Sequence, residues 1–180
     1  NTALGTKPMS SYLSFESDRL YLRPTTEEDA ALVLAILTAP KALKFIGDRS
    51  LKSEEDAREY IRQRALPQLR ERGYANYTLV TKNTGTKVGV CGLYVRPDLE
   101  LIDLGYALHP DHEGQGYARE SSRRIMHAAK AHFGQSKLSA ITHAENTASI
   151  RMLEALGFKH KGQKSVAGYD GPSEYFEVTL

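Results

Sequence analysis

His109-Pro110-Asp111-His112-Glu113-Gly114-Gln115-Gly116-Tyr117-Ala118 is the stretch on which the reading of this chain turns. It lies between an apolar run expected as a strand, Leu101 to Leu108, and a long helix expected from Gly116 to Phe133, where Ala118, Ser122, Ile125, Ala129 and Phe133 recur at helical spacing. The first four N–H groups of a helix have no internal partner, and the aligned peptide dipoles make that end positive. Glycine at 114 and 116 removes side chains that would keep a ligand away, so several N–H groups could converge here on a phosphate or pyrophosphate. The same two glycines also suit a plain tight turn, so the context has to decide. A dinucleotide fingerprint would need a third glycine at Arg119, and a P-loop would need Gly-Lys-Ser/Thr, which is absent.

Toward the N-terminus, Arg19 to Arg23 alternates Leu20 and Leu22 with Tyr21 before Pro24, which predicts a strand. Thr25 and Glu28 have capping-box spacing ahead of the acidic turn Glu27-Glu28-Asp29 and the helical run Ala30 to Leu37, with Pro40 beyond its end. A second helix is expected from Ser53, with Ala57, Tyr60, Ile61 and Ala65 on one face, Arg58, Arg62 and Arg64 toward solvent, and Pro67 bending or stopping it. Tyr77 to Val80, Lys87 to Val95 and Leu101 to Leu108 read as an antiparallel meander. After the long helix come a short strand, Lys137 to His143, and an amphipathic helix, Thr147 to Leu156, stopped by Gly157. Two strands, Phe158 to Lys164 and Tyr175 to Leu180, close the chain. The order βααβββαβαββ describes an α+β domain with a mixed sheet.

Composition narrows the class. With 180 residues, 41% hydrophobic and 26% charged, a single core can bury about two thirds of the unfolded chain's surface without a disulfide or structural metal. Residues 12–180 are expected to form that one domain. Residues 1–11 are expected to be a flexible N-terminal segment, with none of the charged and apolar regions of a secretory signal. The longest apolar run, Ala30 to Leu37, is too short to span a bilayer, so no membrane role is expected. A net charge of +2, with no aromatics interleaving the arginines, argues against nucleic acid as a partner. The one cysteine, Cys91, cannot form an internal disulfide and is compatible with a reducing compartment, which makes the cytoplasm the expected location. Set in an apolar strand between Gly89 and Gly92, it is expected in the core rather than as a nucleophile. His109 and His112 share a loop without a third ligand at diagnostic spacing, so no metal site is expected.

Three further stretches accompany the turn: Gly105-Tyr106-Ala107-Leu108 before it, Asn146-Thr147-Ala148-Ser149-Ile150-Arg151 through Leu156-Gly157-Phe158 after it, and Arg19-Leu20-Tyr21-Leu22-Arg23-Pro24 with Glu28-Asp29-Ala30 at the start. In this order they resemble the GNAT family of N-acetyltransferases, in particular its branch that acetylates the N-termini of ribosomal proteins. The likeness runs from about Ser17 to the C-terminus. It implies a GNAT-like acyl-CoA N-acyltransferase fold, with acetyl-CoA as the acetyl-donating co-substrate. It also implies how that molecule is met. Backbone groups of Glu113, Gly114, Gln115, Gly116, Tyr117, Ala118 and Arg119 would hold the pyrophosphate. An N–H near Leu108 would face the thioester oxygen, Asn146 the pantetheine arm, and Ser149 the sulfur. Arg123, one turn from Arg119, and Arg151 are further cations near the phosphates. Glu113 departs from the pattern, since the family usually has Gln or Arg there. A carboxylate close to pyrophosphate is repulsive, so its side chain must point away or binding weakens.

Acetyl transfer to an amine needs a neutral nucleophile, stabilisation of the carbonyl oxygen, and a proton for the departing thiolate. Ser149 is the candidate acid. Asp103, on the strand where relatives often carry Glu, is the candidate base, with Glu100 and Glu174 as weaker rivals. Taken without the resemblance, Ser149 reads rather as a first-turn residue satisfying local backbone, and Asp103 as an exposed or paired strand carboxylate more often than a base. At pH 7 roughly a tenth of an α-amine but only about a few parts in ten thousand of a lysine amine is neutral, so an imperfect base favours an α-amine. The acceptor stays open between a protein N-terminus and a small amine, its pocket being expected from Ala39 to Arg72 and the last strands. A non-catalytic acyl-CoA-binding or sensing protein on the same fold is the alternative, and a homodimer through the edges of the final strands is an open option.

Overall fold

The computed structural model describes residues 7–180. Of the segment expected to be flexible, residues 1–6 lie outside the described residues, while Met9–Ser11 forms a 3-10 turn that leads Tyr12 into contact with Leu69 and Ala75. The strands are β1 (Phe15–Glu16), β2 (Leu20–Pro24), β3 (Asn76–Thr81), β4 (Lys87–Tyr94), β5 (Asp103–Leu108), β6 (Lys137–Thr142), β7 (Lys159–Lys164) and β8 (Ser173–Thr179). They form one sheet in the order β1-β2-β3-β4-β5-β6-β8-β7. Every neighbouring pair is antiparallel except β5 and β6, which are parallel. The helices are α1 (Ala30–Leu37), α2 (Pro40–Phe45), α3 (Glu54–Gln63), α4 (Ala65–Arg72), α5 (Tyr117–Phe133) and α6 (Thr147–Ala155).

The expected α+β order holds, with three refinements that have local causes. Strand β1 spans two residues, too few for an alternation signal. Pro40 begins helix α2 at a position where its missing N–H costs nothing. The helix expected from Ser53 is two helices broken at Arg64: Ser53 caps α3 by accepting from the Asp56 N–H, and Pro67 sits in the first turn of α4, where no N–H is needed. The capping box lies one residue later than expected, pairing Thr26 with Asp29. Thr25 is buried instead, its hydroxyl 2.9 Å from those of Thr78 and from the Asn76 amide nitrogen.

Helices α1 and α5 both pack on β4, so the sheet is covered on two faces. The main core lies under α5 and α6, where Cys91, Leu93, Leu104, Ile125, Leu138, Leu153 and Phe176 meet. A second cluster, Ala30, Val33, Ala57, Ile61 and Leu66, joins α1, α3 and α4. Cys91 is in the core as expected; burial pushes its thiol up to about 11, which removes it as a nucleophile. The outer strand β7 exposes Lys159, Lys161 and Lys164, a composition that disfavours the edge-paired homodimer.

What positions the site is the one parallel pair. Strands β5 and β6 are in register only at Asp103 and Ser139, and the Ser139 N–H donates to the Ile102 carbonyl at 2.9 Å. Beyond that point the strands diverge and open a V in the middle of the sheet.

Candidate active site

The turn between β5 and α5 is built from its residues upward. His109 N–H donates to the Val88 carbonyl, ending the β4–β5 ladder, and the His109 Nδ1 accepts from the Asp111 N–H at 3.1 Å to start a 3-10 turn over Pro110–His112. Gly114 and Gly116 then adopt φ of 75° and 84°, the left-handed region that makes glycine necessary here. A methyl group at Gly114 would meet no protein atom within 4 Å, so the turn opens into space rather than into packing. Among the described residues, no N–H from Glu113 to Gly116 finds an acceptor. Those of Tyr117, Ala118 and Arg119 are first-turn donors that helix geometry leaves free. The turn-only reading therefore leaves a row of donors unaccounted for.

The first turn of α5 is pinned by Glu120. Its carboxylate accepts from the Ser17 hydroxyl at 2.5 Å, the Arg19 N–H at 2.8 Å and the Arg19 Nε at 2.7 Å. The Arg19 guanidinium lies 4.5 Å from the Tyr117 ring centroid, which brings it beside Gly116. Sequence reasoning quoted Arg19 within a strand motif and missed it as a cation of the turn; its only signal was that motif. Arg119 and Arg123 line a neighbouring hollow of about 420 Å³ with Ser17, Arg124 and His127. Arg151 is exposed on α6.

Glu113 is exposed at the rim of a cavity, and its carboxylate pairs with Lys41 of α2 at 3.6 Å. The pair offsets the repulsion expected from a carboxylate near a phosphate-binding turn. Exposed ion pairs are worth about 0–1 kcal/mol, so the effect of removing the negative charge is small and has a definite sign. Glu113→Gln is expected to tighten binding of a pyrophosphate at this turn about two- to fivefold, which titration with inorganic pyrophosphate at fixed ionic strength would measure.

At the open end of the V, the strand's own alternation supplies a donor. Leu108 faces Gly89 across β4 in regular register, and because the His109 N–H is spent on Val88, the Leu108 N–H points the other way, toward β6 and into the opening. Gly89 permits this arrangement, since a methyl group there would lie 2.6 Å from the Leu108 side chain. Across the V, Asn146 caps α6 by accepting from the Ser149 N–H at 3.3 Å, which leaves its amide NH₂ free. Ser149 is buried in the first turn of α6, and Tyr106 lines the same cavity beside β6. Burial pushes the Tyr106 phenol upward while Ser149 partly offsets the rise, so Tyr106 is a protonated donor at neutral pH. Tyr106 was quoted only as part of a strand end. Its alternation with Leu108 on β5 was the signal that both face one place.

Asp103 lies at the closed end of the V and is fully buried. Its two oxygens are taken, one by the Ser139 hydroxyl at 2.9 Å and the other by the Arg96 Nε at 2.9 Å. Burial raises its carboxyl, with Arg96 and Ser139 opposing the rise. It is thus the paired strand carboxylate of the plain reading, five residues from Leu108, or about 16 Å along an extended strand. Of its rivals, Glu100 is exposed, and Glu174 is held by His160 at 2.6 Å and Gln163 at 2.8 Å. No group of three or more metal-ligating side chains is assembled among the described residues. No helix there is long and apolar enough to cross a membrane.

The turn, the V and the helices α1 to α4 line one cavity of about 880 Å³, whose walls include Gly114, Arg119, Tyr106, Asn146, Ser149, Arg49 and Tyr169. A splayed parallel pair, a turn of free amides at its end and a cavity beside both match what the resemblance to acyl-CoA transferases implies. The chain belongs to the GNAT family: the model of the acetyltransferase (GNAT) domain matches residues 19–159. It is an N-acetyltransferase of that family. It is 26% identical over 148 residues to the uncharacterized N-acetyltransferase YoaA of Bacillus subtilis (strain 168), covering 82% of this chain and 83% of that one. Its fold matches an acetyltransferase from Agrobacterium tumefaciens with a TM-score of 0.79 at 18% identity, over 100% of this chain and 99% of the other. It also matches RimL, a ribosomal L7/L12 α-N-protein acetyltransferase solved with coenzyme A, with a TM-score of 0.73 at 20% identity over 93% and 98% of the two chains.

Proposed function

We propose that this chain transfers the acetyl group of acetyl-CoA to a primary α-amine by direct attack, with both substrates bound in the one cavity. The observation that carries this is that one cavity is lined by the turn of free amides at Gly114 to Arg119, by Ser149 and by residues of α1 to α4. The residues fit the co-substrate. Seven consecutive N–H groups without acceptors suit a pyrophosphate, Arg119 and Arg123 add charge beside it, and the Asn146 NH₂ is free for an amide carbonyl. When bound, acetyl-CoA supplies the thioester carbonyl and the thiol leaving group.

In this reading the Leu108 N–H donates to the thioester oxygen as it gains charge. The amine nitrogen bonds to the carbonyl carbon, the carbon–sulfur bond breaks, and the Ser149 hydroxyl, assisted by Tyr106, gives its proton to the sulfur and takes one back from water. The amine's own proton leaves through water. Asp103 acts as a positioning residue that staples the closed end of the V, because neither of its oxygens is free to reach the amine. Without a dedicated base, the α-amine is the acceptor that reacts at neutral pH, since about a tenth of it is already neutral. The binding-only alternative drew its support from the Glu113 carboxylate, and Lys41 now partners that group.

Incubating the protein with acetyl-CoA and peptides that carry either a free N-terminus and no lysine, or a blocked N-terminus and one lysine, tests this. Thiol release with acetylation of the first set is expected. Acetylation of the lysine set alone would overturn the α-amine assignment, and acetyl-CoA binding without thiol release on any peptide would overturn the transfer.

A further inference from the structure

Beyond the V, the cavity is lined by tyrosines, a composition that ordinarily welcomes a cationic ligand through the ring faces. In this chain those faces are already covered. The Arg96 guanidinium lies 5.3 Å from the Tyr94 ring centroid and 5.4 Å from that of Tyr169. Arg49 lies 5.0 Å from the Tyr169 ring, and Arg64 lies 4.7 Å from that of Tyr60. Arg49, Tyr169, Arg96 and Tyr94 therefore form a continuous stack across the cavity wall, with Arg64 on Tyr60 nearby, and all six residues line the cavity.

The stack is held in place at both ends. The Tyr94 ring rests on Gly105, where a methyl group would approach within 2.9 Å of it, and its hydroxyl donates to the Asn76 side-chain oxygen. At the other end Arg49 Nη1 donates to the Gly168 carbonyl, tying the loop before α3 to the loop before β8. What the cavity meets is a set of ordered guanidinium groups, and their donors are incompletely used. Arg96 is matched by Asp103. Neither Arg49 nor Arg64 has a carboxylate within 4 Å among the described residues. The Arg49 Nε is buried with no hydrogen-bond partner. A buried donor without an acceptor is costly, and a rigid guanidinium fork matches a carboxylate in two-point geometry. The cavity's remaining carboxylates, Glu71, Glu113 and Asp170, are exposed, and Glu113 is paired with Lys41.

Resting on the transferase reading above, we infer that the acceptor is an anionic amine, one whose α-amine is accompanied by a carboxylate that Arg49 and Arg64 receive. Either a free acidic amino acid or a protein N-terminus followed by acidic residues supplies that chemistry. Polycationic amines are the wrong class for this wall.

Paired peptides that differ only at positions two to four, Asp/Glu against Lys, together with free glutamate and its amides, make the test. Two measurements are taken: kcat/KM for acetylation, and equilibrium binding to the protein saturated with CoA. The acidic peptides are expected to exceed the lysine peptides at least tenfold in both, and free glutamate outperforming the peptides would identify the small-molecule source. Arg49→Gln should raise KM for the acidic acceptor about tenfold while KM for acetyl-CoA is kept, and Arg64→Glu, at an exposed position that tolerates change, should shift preference toward the lysine peptides. Equal or better binding of the lysine peptides, or an unaltered preference in both variants, would overturn the inference. Preferential binding of acidic peptides without turnover would uphold it and overturn the transfer reading alone.

Discussion

Replacing Ser149 with alanine is expected to lower kcat about 10²-fold while KM for acetyl-CoA changes less than about threefold, because a positioned proton donor acts in the transition state and not in binding. A thiol with a pKa near 8.5 is an acceptable leaving group only if its developing charge is met as the carbon–sulfur bond breaks. Ser149 is buried in the first turn of α6, and the helix dipole there favours the departing anion as well. Its N–H is already spent on Asn146, so alanine keeps the cap and removes only the hydroxyl. Tyr106→Phe should cost less, about tenfold, because the phenol supports Ser149 rather than meeting the sulfur. The two losses should also combine to less than their product, as expected for groups acting in one relay. Steady-state kinetics on the two single variants and the double variant measure this. A Ser149→Ala enzyme with unchanged kcat would remove the hydroxyl from the chemistry.

The sequence and the fold agree most closely where a local rule is strong. The Gly-rich turn, the long α5 and the Gly157 stop of α6 follow from glycine's left-handed range and helical spacing, both of which act within a few residues. Agreement weakens where the deciding partner is far along the chain. Asp103 could be read as a base because nothing near it shows that Ser139, 36 residues away, would take one of its oxygens. Glu113 posed a repulsion that only Lys41, on a helix too short to predict, accounts for. The Thr25 and Glu28 spacing fitted a capping box as well as Thr26 and Asp29 did. What selected the second pair was Thr78, which draws the Thr25 hydroxyl into the core. The arginine stack illustrates the same limit, for it joins residues from three separate loops and strands whose spacing carries no period.

Asp29→Asn is expected to destabilise the protein by about 3 kcal/mol, the cost of breaking a buried ion pair by removing one charge. For a chain of this size that corresponds to a fall in Tm of roughly 6–12 °C. The residue has no exposed surface, and its carboxylate is fully used. Arg23 donates to both oxygens at 2.8 Å, Lys87 approaches to 2.8 Å, Thr78 donates at 2.9 Å, and the Thr26 N–H closes the capping box at 3.0 Å. One side chain thus joins β2, β3, β4 and the start of α1, and asparagine can serve only part of that set. Burial alone would raise this carboxyl, but Arg23, Lys87 and the Thr26 N–H outweigh it and hold it well below the usual carboxylate range. A group depressed in the folded state contributes stability that is fully present above its unfolded value, near 3.9, and is lost as pH falls toward the folded one. The gap in stability between the native protein and Asp29→Asn should therefore be constant from pH 5 to 8 and narrow only below about pH 4. Thermal or urea unfolding across that range measures it, and a gap that instead grew on acidification would mean that Asp29 is not the charged centre of this network.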